Sequence, residues 1–119
     1  MEEKKFRKLV TEAIDELPDS FKKKIDNLYV VVEDFPSGET LKEQGVKSPY
    51  SILGLYQGIP VKKRGVSYTN VLPDRITIYQ KPIESLGKDA ARIKERVKEV
   101  FRHELGHHFG FSEKELAKY

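Results

Sequence analysis

Apolar residues near the start of the chain recur every three or four positions, which is the spacing of one face of a helix. This first stripe consists of Phe6, Leu9, Val10, Ala13, Ile14 and Leu17. Pro18 follows directly and cannot continue a helix, so we predict an amphipathic first helix that ends before it. Phe21, Ile25 and Leu28 keep the helical spacing and predict one further short helical turn.

Three later segments have the composition of β-strands. Residues 28–32 (Leu-Tyr-Val-Val-Val) are β-branched and aromatic, which predicts a buried strand. Residues 52–56 predict a second strand, and Gly54 within it and Pro60 after it favour the edge of a sheet. Residues 75–80 alternate isoleucine with threonine and tyrosine, which predicts a third strand with one buried face.

The segments between these strands contain many breakers of regular structure. Pro36, Gly38, Gly45 and Pro49 predict a loop between the first two strands. Residues 58–73 have no clear periodicity and predict a long exposed loop or a loose hairpin, which in a compact domain is often functional.

The longest predicted helix covers about residues 88–109. Its apolar positions step by three and four, and they are Ile93, Val97, Val100 and Phe101. Gly110 follows and can adopt the left-handed conformation that ends a helix. Residues 112–115 (Ser-Glu-Lys-Glu) then have the pattern of a capping box that opens a last short helix.

Together these elements predict one α+β domain over residues 1–119. A small twisted sheet, mixed or antiparallel, is expected to pack on the long C-terminal helix, with the amphipathic helix at the N-terminus. The 119 residues suffice for one modest core, and the 38% of hydrophobic residues predicts a packed globule rather than a disordered chain.

Charge and composition exclude several classes of function. The net charge is only +3, and the two short basic runs, residues 22–24 and 62–64, are typical of a solvated surface, so we expect no nucleic-acid partner. The absence of cysteine excludes disulfides and thiolate zinc sites. No apolar run reaches membrane-spanning length, and the charged residues 1–5 do not resemble a signal peptide. We therefore expect a cytoplasmic protein that is a monomer and has no membrane partner.

All three histidines of the chain lie within six residues near the end of the long helix, as His103, His107 and His108. His103 and His107 are four apart, so both imidazoles project from one face of the helix and can bind one ion. Glu104 lies beside the first of them, where a carboxylate can reach a metal-bound water without ligating the metal. This spacing predicts a zinc site with Glu104 as general base.

A catalytic zinc site usually has three protein ligands and one open position. A turn at Gly110 would return the chain toward the metal and present Glu113, which is our preferred third ligand. Two alternatives are His108, whose side chain points about 100° away around the helix, and Glu115, which the capping box would occupy.

The motifs resemble those of a known family. His-Glu-Leu-Gly-His-His-Phe-Gly-Phe-Ser-Glu, residues 103–113, is similar to the extended zincin signature. Metzincins place a histidine at the last of these positions and carry a downstream methionine, whereas here that position is Glu113 and Met1 is the one methionine. Gluzincins take their third ligand from a later helix, for which the twelve residues after His107 leave little room.

The chain instead resembles the minimal zincins, a bacterial family of short zincin-like metallopeptidases. Besides the histidine motif, they carry Leu-Gly-Leu-Tyr-x-Gly-x-Pro, here residues 53–60, and Leu-Pro-x-x-Ile-x-x-Tyr, here residues 72–79. The resemblance covers about residues 25–117. It departs at Glu113, where the family often has an aspartate; the glutamate reaches one methylene further.

The resemblance implies a small twisted sheet on the motif helix, and an edge strand that pairs with an extended peptide substrate. Our candidates for this substrate-binding strand are Leu53, Gly54, Leu55 and Tyr56. An ordinary sheet strand is the equally expected alternative. The hydroxyls of Tyr56, Tyr68 and Tyr79 are candidate donors to the oxyanion, although packing is the more common role of such tyrosines.

These observations predict a zinc metallopeptidase that hydrolyses peptide bonds. His103, His107 and Glu113 would hold Zn²⁺, and Glu104 would take the proton of the attacking water. The alternative is a non-catalytic, metal-binding interaction module on the same fold. A groove wide enough for a peptide, beside an open coordination position, would distinguish the peptidase from this module.

Overall fold

A computed structural model describes residues 1–23, 28–57 and 74–109 of the chain, and the side chains of all of these except 107–109. The described elements, in chain order, are α1 (Glu3–Asp15), α2 (Asp19–Lys22), β1 (Leu28–Glu33), α3 (Gly38–Gln44), β2 (Gly54–Gln57), β3 (Asp74–Tyr79), α4 (Gln80–Ser85) and α5 (Ala90–Phe109).

The three described strands form a mixed sheet in the order β1-β3-β2. β1 runs parallel to β3, with Leu28 opposite Asp74, and β2 runs antiparallel to β3, with Gly54 opposite Ile78. α5 packs on β2 and β3, and α1 packs on α5. This arrangement confirms the predicted α+β class, with a mixed sheet, a long C-terminal helix and an N-terminal helix.

One hydrophobic core joins these elements. β3 contributes the fully buried Ile76 and Ile78, and α5 contributes a stripe at helical spacing. The buried core residues of the two helices are Phe6, Leu9, Val10 and Ala13 of α1 and Ile93, Val97, Val100, Phe101 and Leu105 of α5. The predicted stripe of α1 is thereby confirmed, with Ile14 partly buried at its margin. None of the described helices is long and apolar enough to span a membrane.

The predicted burial of the first and third strands is wrong. Residues 28–33 form the strand β1, but Tyr29 is 60% exposed and only Val32 of this strand is buried. β3, in contrast, buries Thr77 and Tyr79 as well as its isoleucines. Both differences follow from the packing of the whole fold, because β1 lies at an edge of the described sheet while β3 lies at its centre, where other elements cover both of its faces.

The segment predicted as a loop between the first two strands contains the helix α3. Ser37 caps its start by accepting a hydrogen bond from the Thr40 N–H (3.1 Å), and Gly45 ends it with a left-handed φ of 70°. The short helix α4 was also not predicted. α2 confirms the short helical turn at Phe21, which is buried, whereas Leu28 belongs to β1. Ile25, the predicted loop 58–73 and the predicted last helix lie outside the described residues.

Candidate active site

The two faces of the helix α5 differ in burial. Its apolar face enters the core down to Leu105, which is fully buried. His103 and Glu104 precede Leu105 and lie on the side of the helix that leaves the core, where His103 is exposed and Glu104 is half-buried. The buried stripe thus fixes the rotation of the helix, and that rotation brings the motif residues to the surface.

The strand β2 lies unusually close to this helix. A Cβ atom on Gly54 would come within 2.4 Å of Val100 Cγ1 and 3.0 Å of the Thr77 carbonyl oxygen. Only glycine fits at this contact, which is the physical reason for a glycine inside a strand. The missing side chain lets the backbone of β2 approach α5 one turn before the motif residues.

A hydrogen bond joins the strand to the motif. The Tyr56 N–H donates to Glu104 Oε2 at 3.3 Å. In an antiparallel pair, alternate residues direct their backbone groups to the neighbouring strand and away from it. The Tyr79 N–H donates to the Leu53 carbonyl oxygen (3.0 Å), so the backbone groups of Leu53 and Leu55 point to β3. The backbone groups of Gly54 and Tyr56 therefore point away from β3. The carboxylate of Glu104 therefore lies at the outer edge of β2.

A cavity of about 550 Å³ opens between this strand and the helix. The residues that line it come from the end of α3, the segment before β2, β2 itself and the exposed side of α5. They are Gln44, Val46, Ser51, Ile52, Leu53, Gly54, Leu55, Glu99, Val100, His103 and Glu104. The lining thus combines the polar side chains of His103 and Glu104 with several aliphatic residues.

Tyr79 is the tyrosine whose electrostatics bear on this site. Burial raises the pKa of its hydroxyl, the nearby Glu33 and Glu104 carboxylates raise it further, and Arg75 opposes them. The phenol is therefore protonated at neutral pH and remains a hydrogen-bond donor. Tyr56 packs against the margin of the core, and Tyr68 lies outside the described residues.

The structure brings the residues of the predicted substrate-binding strand together with two residues of the histidine motif. Leu53, Gly54 and Leu55 share one cavity with His103 and Glu104, and the Tyr56 backbone contacts Glu104. The sheet order also confirms that β2 is an edge strand among the three described strands. Sequence analysis did not identify Gln44, Val46 or Glu99 as cavity residues, although Glu99 has a signal, since it lies four residues before His103 on the same helix.

The predicted metal ligands are only partly within the described structure. His107 belongs to the same unbroken helix as His103, one turn later, but its side chain, that of His108, and all of Glu113 and Glu115 lie outside the description. Among the side chains that are described, no group of three or more histidines and carboxylates is placed to hold a metal. The three-ligand site therefore stays a prediction.

The described residues nevertheless fit the proposed ion. His103 is exposed, so its imidazole is open to a ligand, and α5 continues without a break through position 107. Two imidazoles one helical turn apart are a donor pair that suits Zn²⁺. Glu104 follows His103 in the chain and lines the same cavity, so its carboxylate does not lie within the apolar core.

Comparison with known proteins gives one family. A model of the zincin-like metallopeptidase family matches residues 25–119. This match includes β1, β2, β3, the motif helix and the whole predicted ligand segment. No curated protein matches the chain.

Proposed function

The chain belongs to the zincin-like metallopeptidase family, and we propose that it is a zinc-dependent peptidase that cleaves extended peptides. The observation that carries the proposal is the shared cavity of β2 and α5. It places the edge of a strand, which can bind a peptide backbone, against the carboxylate of Glu104.

The metal site in this proposal consists of His103, His107 and Glu113. When bound, Zn²⁺ would polarise the carbonyl of the scissile peptide bond and make its bound water more acidic. Of the three ligands, His103 is the one whose side chain the structure describes, and its exposure at the mouth of the cavity supports the role.

Glu104 acts as the base. Its carboxylate accepts a proton from the attacking water as the water oxygen bonds to the peptide carbonyl carbon. It then donates that proton to the amine nitrogen as the C–N bond breaks. The hydrogen bond from the Tyr56 N–H supports this assignment, because it holds one carboxylate oxygen toward the strand where the substrate would lie.

β2 binds the substrate through its backbone. Gly54 directs its N–H and carbonyl away from β3, so an extended peptide can pair with this position of the edge, beside the Tyr56 N–H that donates to Glu104. Backbone pairing places the scissile bond beside Glu104 without requiring one particular substrate sequence. The cavity next to β2 is then available to a substrate side chain.

Substitution of Glu104 tests the proposal. In zinc-loaded protein, Glu104→Gln and Glu104→Ala should lower the rate of peptide hydrolysis by about 10²- to 10⁴-fold, because general acid–base catalysis contributes about that factor. Cleavage is measured by mass spectrometry on casein and on a peptide library. The zinc content of each variant is measured in parallel and should remain one ion per chain.

The matched control is Glu95→Gln. Glu95 is another carboxylate of α5, 62% exposed and outside the cavity, so its loss should leave the rate unchanged. Full hydrolysis by Glu104→Ala would contradict the proposed mechanism. A wild-type protein that binds zinc and peptides without cleaving any of them would instead be the non-catalytic module.

A further inference from the structure

The cavity beside Glu104 has two chemically different parts. Its apolar wall is formed by Val46, Ile52, Leu53, Leu55 and Val100. Its charged part contains the carboxylates of Glu99 and Glu104 together with His103. Neither lysine nor arginine is among the described residues that line it.

Glu99 lines the cavity beside the motif residues and is neither a proposed ligand nor the proposed base. It precedes His103 by four residues on α5, which places it about one helical turn along the axis from the motif. Its side chain is 42% exposed. A substrate side chain that begins near Glu104 and packs on the aliphatic residues of the cavity can therefore reach the Glu99 carboxylate.

Arg96 is the present partner of Glu99. Its Nη1 lies 3.1 Å from Glu99 Oε2, but Arg96 itself does not line the cavity. Both side chains of this pair are more than 40% exposed, and exposed pairs three residues apart on a helix contribute little. A cation of the substrate can therefore bind the second carboxylate oxygen of Glu99 or replace Arg96 at the first.

A cavity that combines aliphatic residues with the carboxylate of Glu99 fits one class of side chain. Lysine and arginine have an apolar stem that packs on such residues and a cationic head at its end. An acidic side chain would meet the two carboxylates, and a short apolar one would leave the end of the cavity unfilled. We propose that Glu99 makes this peptidase selective for a lysine or arginine side chain next to the scissile bond, an inference that rests on the proposed function.

Three matched peptides test the selectivity. They share one sequence and differ at a single position beside the cleaved bond, which holds lysine, the uncharged norleucine of similar shape, or glutamate. With zinc-loaded wild-type protein, kcat/KM should be about fivefold higher for lysine than for norleucine, which is the upper range for a half-exposed ion pair. The glutamate peptide should be the poorest substrate.

Variants of Glu99 should change this order. Glu99→Gln should remove the preference for lysine over norleucine, and Glu99→Lys should make the glutamate peptide better than the lysine peptide. Glu95→Gln, which removes an exposed carboxylate one turn earlier on the same helix, should keep the wild-type order. An unchanged preference in Glu99→Gln would overturn the inference, as would equal rates for the three peptides in wild type.

Fluorescence anisotropy of the same labelled peptides separates this inference from the proposed function. Binding to zinc-loaded protein should show the lysine preference and its loss in Glu99→Gln whether or not the peptide is cut. If selective binding occurs without hydrolysis by wild type, the peptidase proposal fails while the assignment of the cavity stands. Binding without selectivity, or no binding of any of the three peptides, overturns the assignment.

Discussion

The absence of a side chain at Gly54 decides how closely the strand β2 approaches the helix α5. The space that a Cβ would need is filled by the Val100 methyl and by the Thr77 carbonyl, and neither lies at the end of a flexible side chain. An added methyl must therefore push β2 and α5 apart. The Tyr56 N–H, two residues along the strand, would then move away from Glu104.

Gly54→Ala should consequently lower the free energy of unfolding by about 1–3 kcal/mol, the usual cost of overpacking. Urea denaturation measures this loss. Gly38→Ala is the matched control, because nothing lies within 4 Å of its added Cβ and alanine is the better helix former, so stability should stay equal or rise by up to about 1 kcal/mol. Equal losses in the two variants would contradict the role of Gly54.

At the scale of elements, α3 shows how two caps can make a helix from seven residues. Ser37 Oγ accepts from the Thr40 N–H, and Gly45 at φ 70° lets the Val46 N–H reach the Leu41 carbonyl oxygen at 3.0 Å. α3 buries no residue of its own, so these caps provide much of what holds it. Its end supplies Gln44 and Val46 to the wall of the cavity only while it is folded.

Ser37→Ala should destabilise α3 by about 0.5–2 kcal/mol, the cost of losing a serine cap. Hydrogen exchange should become faster at the amides of Leu41, Gly45 and Val46, which bond within this helix and its ends. Amides of α1 should keep their rates. Ser37→Asp, which retains a capping oxygen, should keep the protection of the α3 amides. Loss of protection in Ser37→Asp, or unchanged protection in Ser37→Ala, would contradict this account.

The elements also show what local sequence could and could not predict. Spacing identified α1 and α5 because each has an apolar stripe long enough to average over single residues. The strands were found from their composition, but their predicted burial was wrong, because burial depends on what packs against each face of the sheet and not on the sequence of the strand alone. α3 was missed because Gly38 and Gly45 were interpreted only as breakers, although a serine before and a glycine after seven residues are also the signals of helix caps.

For the site, the histidine motif and the glycine-containing strand could be predicted, since each depends on close spacing in sequence. The wall of the cavity could not. Val46 and Glu99 are 53 positions apart and line one cavity, and this cavity depends on the packing of β2 on α5, a contact that no local pattern contains. The described structure therefore adds the shape and charge of the cavity to chemistry that the motif already indicated.

On the scale of the whole molecule, an ion-pair network ties α1 to α5. Lys94 Nζ lies 2.8 Å from Glu16 Oε2, and Lys98 Nζ lies 2.6 Å from Glu16 Oε1, so one carboxylate just after α1 bridges two turns of α5. The hydrogen bond from Lys94, followed by that from Lys98, lowers the pKa of Glu16 to about 2. The same bonds raise the pKa of both lysines.

This lowered pKa has a consequence for acid stability. In the unfolded chain Glu16 has its ordinary pKa of 4.5, so it stabilises the folded protein fully above that pH and progressively less as the pH falls toward 2. Glu16→Gln should therefore lower Tm at pH 6 and reduce the dependence of Tm on pH between 4.5 and 2. Thermal unfolding followed by circular dichroism measures both.

The control for this prediction is Glu43→Gln, an exposed carboxylate of α3. It should keep the wild-type slope of Tm against pH. Because the network lies at the surface, added salt should weaken the effect of Glu16. A Glu16→Gln variant with the slope of wild type would show that the lysines do not hold this carboxylate in solution.

The short edge strand β2 has a further consequence, for solubility. In the proposed function a peptide pairs with this edge, and an edge that a peptide can reach is also open to the same strand of another molecule, which promotes aggregation. β2 has only four residues, and the Glu104 carboxylate already accepts one of its outward N–H groups. A substrate needs only the backbone groups of Gly54, whereas a second copy that pairs along the whole strand would have to displace the Glu104 carboxylate from the Tyr56 N–H. The residue assigned to catalysis would in this way also protect the protein from pairing with itself.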